Sequence, residues 1–251
     1  MPIARVSINE KTNLNVFINL FRFKIADCVK RREKYQIFMA MPTLKMRRSN
    51  FYVSFAKRAG DLLVSSLLLV LLAPLLMILA LVLFLHHRRN PIFIQPRIGK
   101  DGQLFKLIKF RTFPSGENES SISGLGKIFR SLSIDELPQL YNILMGQMSF
   151  VGPRPLLPEY LGYYSDQQHR RHEVIPGLTG LAQVTLGNSP DWKRRLGYDV
   201  KYVDHISFVL DISILFKTVI VLSKFREKAQ LDGKAERFDT YSKRIRGKSG
   251  L

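Results

Sequence analysis

The chain has 251 residues, 46% hydrophobic and 11% aromatic, which is enough to bury a core of domain size and too apolar for a wholly disordered chain. Its single cysteine, Cys28, excludes an internal disulfide framework and any cysteine-rich zinc or iron–sulfur site. Thirty-nine lysines and arginines against twenty acids leave a net charge of +19, which calls for a polyanionic partner: nucleic acid, acidic lipid headgroups or a phosphate-bearing substrate.

The charge is concentrated at the N-terminal end. Positions 1–58 hold thirteen basic and three acidic residues. Within this basic extension, 1–54, the segment 14–25 reads as an interfacial amphipathic helix or as a solvated arm, and no chemistry is assigned to it. The anchor region, 55–90, follows. From Leu62 to Leu85 the chain carries no charge and only Ser65 and Ser66 as polar side chains, a membrane composition. A straight helix across a hydrocarbon layer of roughly 30 Å needs about 20 residues, so a span is the default reading. Two features point to a re-entrant helix-break-helix instead. Pro74 stands at the midpoint of the segment, next to Ala73, and removes a helical donor there. Basic residues flank both ends, Lys57 and Arg58 before and His86, His87, Arg88 and Arg89 after, as expected if both ends lie on one side. A proline-kinked span remains the alternative.

After the anchor, residues 91–113 read as strand, turn and strand, with the turn at Gly99-Lys100-Asp101-Gly102. At strand spacing Lys109 and Arg111 share one face, two cations pointing the same way, most simply along a solvated strand edge. The polar stretch 114–124 reads as a mobile loop or a lid.

Residues 124–155 carry the most chemistry. Asp135 and Glu136 are adjacent acids, with Lys127 and Arg130 upstream and Arg154 downstream. Ser133 and Glu136 match a capping box, but Pro138 then falls inside the helix, so the helix is expected to begin at Asp135. The acids have two readings: capping groups in surface ion pairs, or a nucleophile for phosphoryl transfer beside a carboxylate that holds a divalent cation. Arg154 lies between Pro153 and Pro155, which hold the backbone extended and present the guanidinium at little ordering cost. His169 and His172 do not match a zinc-protease pattern and read as part of a basic helical surface. Ile206 to Leu222 is apolar but interrupted by Asp211 and Lys217, an interfacial or core-packed helix. The charged tail, 226–251, is expected to be disordered.

The order of these features resembles the monotopic phosphoglycosyl transferases, a bacterial sugar transferase family. The matching stretches are Lys57-Arg58 to Asp61 ahead of the proline-broken apolar helix, QPRIGKDGQLFKLIKFRT, RSLSIDELPQLYNILMGQMSFVGPRPLLPEY and PGLTGLAQV, together covering roughly residues 55–225. The resemblance implies a mainly helical α+β fold. A re-entrant anchor would be followed by a compact cytoplasmic domain, 91–225, with a small β-hairpin and interfacial amphipathic helices. It implies transfer of a sugar 1-phosphate from a UDP-sugar to undecaprenyl phosphate, releasing UMP, at the cytoplasmic face of the bacterial inner membrane. The product would enter exopolysaccharide, lipopolysaccharide or glycoprotein glycan synthesis, with downstream glycosyltransferases as possible partners and no nucleic acid. By the same resemblance Asp135 is the nucleophile of a covalent phosphosugar intermediate, and Glu136 its partner through Mg2+ or proton handling. Arg111, Arg130 and Arg154 are candidate phosphate ligands. The family's helix break is typically Ser-Pro, whereas here it is Ala73-Pro74. The competing reading from the charge alone is a membrane-tethered, non-enzymatic binder of nucleic acid or acidic lipid.

Overall fold

The computed structural model describes residues 52–113, 123–187, 189, 191–223 and 240–241. Segment 14–25, nearly all of the N-terminal extension, the polar stretch up to 122 and the tail beyond 225 apart from 240–241 lie outside the described residues.

A short wide turn, Tyr52–Ala56, leads into α1, Lys57–His87, a helix of 31 residues. At 1.5 Å per residue it is about 46 Å long. Its inner face repeats every three or four residues. Asp61 and Ser65 are buried, Leu68, Leu69 and Leu72 pack on one core cluster, Leu76, Leu79 and Ala80 on another, and Leu83 and His87 close the stripe. The opposite face is bare: Leu63, Leu67, Val70, Leu71, Met77, Ile78, Leu81 and Leu85 are all exposed. The helix-break-helix expected at Ala73 and Pro74 is not what forms, because α1 runs through both residues as one helix. Proline removes only one donor, and the packing of Leu72 just before it and Leu76 just after it holds both flanks to the same body. Ser65 and Ser66 donate back to the Leu62 carbonyl, at 3.2 and 2.7 Å, satisfying their hydroxyls inside the apolar run.

The hairpin forms as the sequence implies. β1, Ile92–Ile98, pairs antiparallel with β2, Leu104–Phe110, across a turn at Lys100–Gly102. Asp101 and Gly102 both take left-handed φ there, which suits an Asp-Gly pair. The inner hairpin face puts Phe105 and Leu107 into a cluster with Leu140, Ile143 and Met148. Then come α2, Gly124–Ser131, capped by the Ser123 side chain on the Gly126 amide at 3.0 Å, and α3, Gln139–Leu144.

A second, parallel pair follows. β3, Ser149–Val151, lies beside β4, Gly177–Thr179, with Ser149 opposite Gly177 and Val151 opposite Thr179. The strands cross this closely because glycine is present: a Cβ on Gly177 would sit 2.0 Å from the Gly152 amide nitrogen. α4, Leu181–Leu186, α5, Trp192–His205, and α6, Phe208–Ser223, complete the chain. Tyr202, Val203, Ile206 and Ile214 form their shared core with Val151 and Val174. The described fold is therefore mainly helical, with two small two-stranded sheets and one long apolar helix.

Asp211, which interrupts the apolar pattern of α6, is the hub of a buried polar cluster. Its carboxylate accepts from Tyr52 at 2.6 Å, from Tyr202 at 2.7 Å and from Lys57 at 2.5 Å, so the start of α1 is tied to α5 and α6. HRRHE is not the basic surface its composition suggests. Arg171 and His172 are buried, and Arg171 is paired with buried Asp199 at 2.8 Å. The ion pair lets the guanidinium leave solvent.

Candidate active site

The acidic pair sits on a break between helices. Ser133 takes left-handed φ and makes no side-chain cap, Ile134–Glu136 form one tight turn, and α3 begins only at Gln139. The helix thus starts four residues later than the sequence suggests. Pro138 occupies its N-cap position, where a missing amide costs little. The tight turn points Asp135 inward, where it is buried at 7% exposure.

Two interactions fix α3 behind the turn, one to α1 and one to the hairpin. Arg58 donates to the Ile143 and Leu144 carbonyls, at 2.6 and 2.7 Å, capping the last turn of α3 from the start of α1. Buried Asn142 substitutes for a third strand: its amide donates to the Lys106 carbonyl at 2.7 Å, and its oxygen accepts from the Ile108 amide at 3.0 Å. Lys109 is thereby brought to Asp135.

Four cations surround the pair. Arg154 clamps Glu136 with two bonds, Nη2 at 2.6 Å and Nη1 at 3.4 Å. Arg130 donates to Thr112 Oγ1 at 3.1 Å and lies over the Phe113 ring at 4.4 Å. Lys109 stands over Phe93 at 5.2 Å. Arg97, on the same hairpin face, reaches the Pro155 carbonyl at 3.3 Å.

The electrostatics follow from burial. Loss of solvent, then repulsion from Glu136, push the Asp135 carboxyl up to about 6, against the pull of Lys109, Arg130 and Arg154. Burial and neighbouring Arg97 bring the Lys109 ammonium down to about 8, against the pull of Asp135. A buried carboxylate that stays ionised near neutral pH, with a lysine and two arginines acting on it, suits attack on an anionic phosphoryl group.

Of the residues singled out from sequence, Asp135, Glu136, Arg130 and Arg154 come together. Arg111 does not join them: its Nε donates to the Asn90 carbonyl at 3.0 Å, and its guanidinium lies over Phe93 at 5.5 Å. Sequence reading set Lys109 beside Arg111 but assigned it no role. It missed Arg97 and Asn142. The one available signal was a lone polar residue inside each apolar run, PRI and LYNIL.

The loop bearing Arg154 is itself anchored. Arg171, braced by Asp199, donates to the Arg154 carbonyl at 2.6 Å, and the Gly177 amide donates to the Pro153 carbonyl at 3.0 Å. The PGLTG segment therefore sets the position of the arginine clamp without touching the acids.

A long apolar helix thus lies along a body that holds an acidic pair among cationic side chains. Comparison makes this specific. Residues 52–225 match the family described as bacterial sugar transferase. The chain is 47% identical over 139 residues to the uncharacterized sugar transferase EpsL of Bacillus subtilis, covering 52% of this chain and 69% of that protein. It is 36% identical to the exopolysaccharide production protein ExoY of Rhizobium meliloti, covering 65% of this chain and 84% of the relative. It is 37% identical to the UDP-glucose:undecaprenyl-phosphate glucose-1-phosphate transferase of Klebsiella pneumoniae, covering 65% of this chain but only 39% of that longer protein. The chain belongs to the bacterial sugar transferase family and is, by that membership, a transferase enzyme.

Proposed function

We propose that the protein transfers a sugar 1-phosphate from a UDP-sugar to undecaprenyl phosphate. The observation that carries this reading is Asp135, a buried carboxylate poised near neutral pH inside a shell of Lys109, Arg130 and Arg154. In the first step a carboxylate oxygen of Asp135 attacks the sugar-side phosphorus. The bond from that phosphorus to the bridging oxygen breaks, and UMP departs with the bridging oxygen and the electron pair. In the second step a phosphate oxygen of undecaprenyl phosphate attacks the same phosphorus and releases Asp135. Separating the steps lets UMP leave before the lipid attacks, which gives ping-pong kinetics.

The three cations offset charge that builds up on the phosphoryl oxygens in both steps. Glu136 holds Arg154 in place at 2.6 Å. A divalent cation of the sparse type, bound by one or two carboxylates and by substrate phosphates, would be held by Glu136 with Asp135. Magnesium there would supply further charge neutralisation on the diphosphate.

One-sided attachment to the inner leaflet is supported by how α1 is used. Leu68 to Leu83 are packed by the hairpin and α2, the elements that also carry Lys106, Lys109, Lys127 and Arg130. Were α1 to cross the bilayer, these charges would have to lie in hydrocarbon, at a cost of about 2.5–3.5 kcal/mol each by insertion scales. With the bare face of α1 in lipid and the body at headgroup depth, the soluble donor and the lipid acceptor both reach Asp135. The exposed apolar face of α6, with Phe208, Val209, Phe216 and Val219, gives a second contact with lipid. Basic residues at both ends of α1 favour the cytoplasmic side.

The test is purified protein assayed against a panel of UDP-sugars, scored by UMP release with and without undecaprenyl phosphate. Lipid-dependent transfer from at least one sugar is expected. UMP release with free sugar phosphate as the product would instead identify a hydrolase.

A further inference from the structure

Arg97 carries a positive charge into the protein, and among the described residues no acid pairs with it. It lies on β1 opposite Phe105, on the hairpin face that also bears Lys109. Its Nη2 donates to Gln95 Oε1 at 2.8 Å and its Nη1 to the Pro155 carbonyl at 3.3 Å, both neutral acceptors. Nε is closed off from solvent and has no partner. The Nε–Nη2 edge, which takes up a carboxylate or phosphate with two parallel bonds, thus holds one neutral oxygen. The acid that attracts Arg97, Glu136, is already held by Arg154. Burial and the nearby Arg154 bring its pKa down to about 10.

A half-buried guanidinium whose Nε is shut off from solvent and which no described acid pairs is unfavourable unless an anion arrives. Its place in the site says which anion. By strand register Arg97 stands four residues along β1 from Phe93, the residue opposite Lys109, about 13 Å at strand spacing, and it donates to the Pro155 carbonyl beside Arg154. A diphosphate presents two phosphorus atoms. The one attacked must lie at Asp135 among Lys109, Arg130 and Arg154, and its neighbour then needs a cation set back from the carboxylate.

Resting on the proposed transfer from a UDP-sugar, we infer that Arg97 binds the nucleotide-side phosphate of the donor and retains it on UMP as that product leaves. Gln95 keeps the guanidinium in plane until the phosphate takes its place.

The experiment compares UMP with uridine, by titration calorimetry on the full chain in detergent or nanodiscs, since their affinity ratio isolates the phosphate. Wild-type protein is expected to prefer UMP by at least about tenfold, and Arg97→Gln to lose about tenfold of that ratio. Arg97→Lys should keep part of the ratio and melt within a few degrees of wild type. An unchanged ratio in Arg97→Gln overturns the assignment, and so does equal weakening of UMP and uridine, the mark of a structural role. A selective rise in the KM for undecaprenyl phosphate, with the UMP ratio intact, would place the residue on the acceptor phosphate and overturn it as well. Wild-type protein that neither prefers UMP nor releases it from any UDP-sugar would sink the transferase reading itself, a separate failure.

Discussion

Asp135 and Lys109 are tuned toward each other, and the pH profile should show it. Burial moves the carboxyl up to about 6 and the ammonium down to about 8. In the proposed reaction Asp135 must be ionised to attack, and Lys109 must be charged to offset the phosphoryl oxygens. kcat/KM for the UDP-sugar should therefore rise with pH through about 6, fall through about 8, and be flat only between. Because Lys109 pulls the Asp135 pKa down, Lys109→Met should move the acid limb to higher pH as well as lower the plateau. A profile for this variant with an unmoved acid limb would show that the two side chains do not communicate. Asp135→Asn keeps the shape of the side chain and removes the carboxylate oxygen proposed to attack. It should cut turnover by at least about 1,000-fold and abolish the phosphosugar adduct in intact-mass spectra of protein quenched without acceptor. An adduct persisting in that variant would place the nucleophile elsewhere.

At the scale of elements, the arginine clamp depends on residues that hold its loop from behind. Asp199 holds Arg171, Arg171 holds the Arg154 carbonyl, and β4 holds Pro153. Asp199→Ala leaves a guanidinium buried at 2% exposure with its charge unanswered, at a cost of about 3–5 kcal/mol. The melting temperature should fall accordingly, and a variant that melts like wild type would show the pair to be dispensable. Gly177→Ala meets backbone, not a flexible side chain, at 2.0 Å. β3 and β4 must then separate, and the variant should be among the least stable single substitutions in the chain. The sequence announced this region only as a run of turn residues. The pairing of β3 with β4 spans about 28 positions, and neither three-residue strand carries a periodicity of its own.

For the molecule as a whole, α1 has two unlike apolar faces. Its inner stripe is core and its outer stripe is apolar surface, where each Leu, Val, Ile or Phe left in water forgoes roughly 1.5–3 kcal/mol relative to burial. Lipid is the proposed occupant. Val70→Lys with Leu71→Lys, both on the bare face, should release protein from the membrane fraction while leaving its melting behaviour in detergent unchanged. Retention in the membrane would show that α6 or the N-terminal extension suffices. Cysteines placed singly before α1 and at Arg89, in a Cys28→Ser background, should react with an impermeant thiol reagent from the same side. Reaction from opposite sides would mean that α1 crosses.

The sequence by itself determined the parts whose information is local. These are the apolar run of α1, the hairpin with its Asp-Gly turn, the adjacent acids, the proline-framed Arg154 and the amphipathic last helix, because period, turn chemistry and spacing lie within a few residues of one another. The family motifs pointed to the same chemistry. Only the tertiary structure decided that α1 stays whole through Pro74, since packing on both flanks outweighs one lost hydrogen bond. It alone turned Asp211 and Arg171 into buried ties and brought Arg97 and Lys109 to the acids while Arg111 went to backbone carbonyls. Which charges share a site depends on contacts between residues tens of positions apart, and no local pattern encodes them.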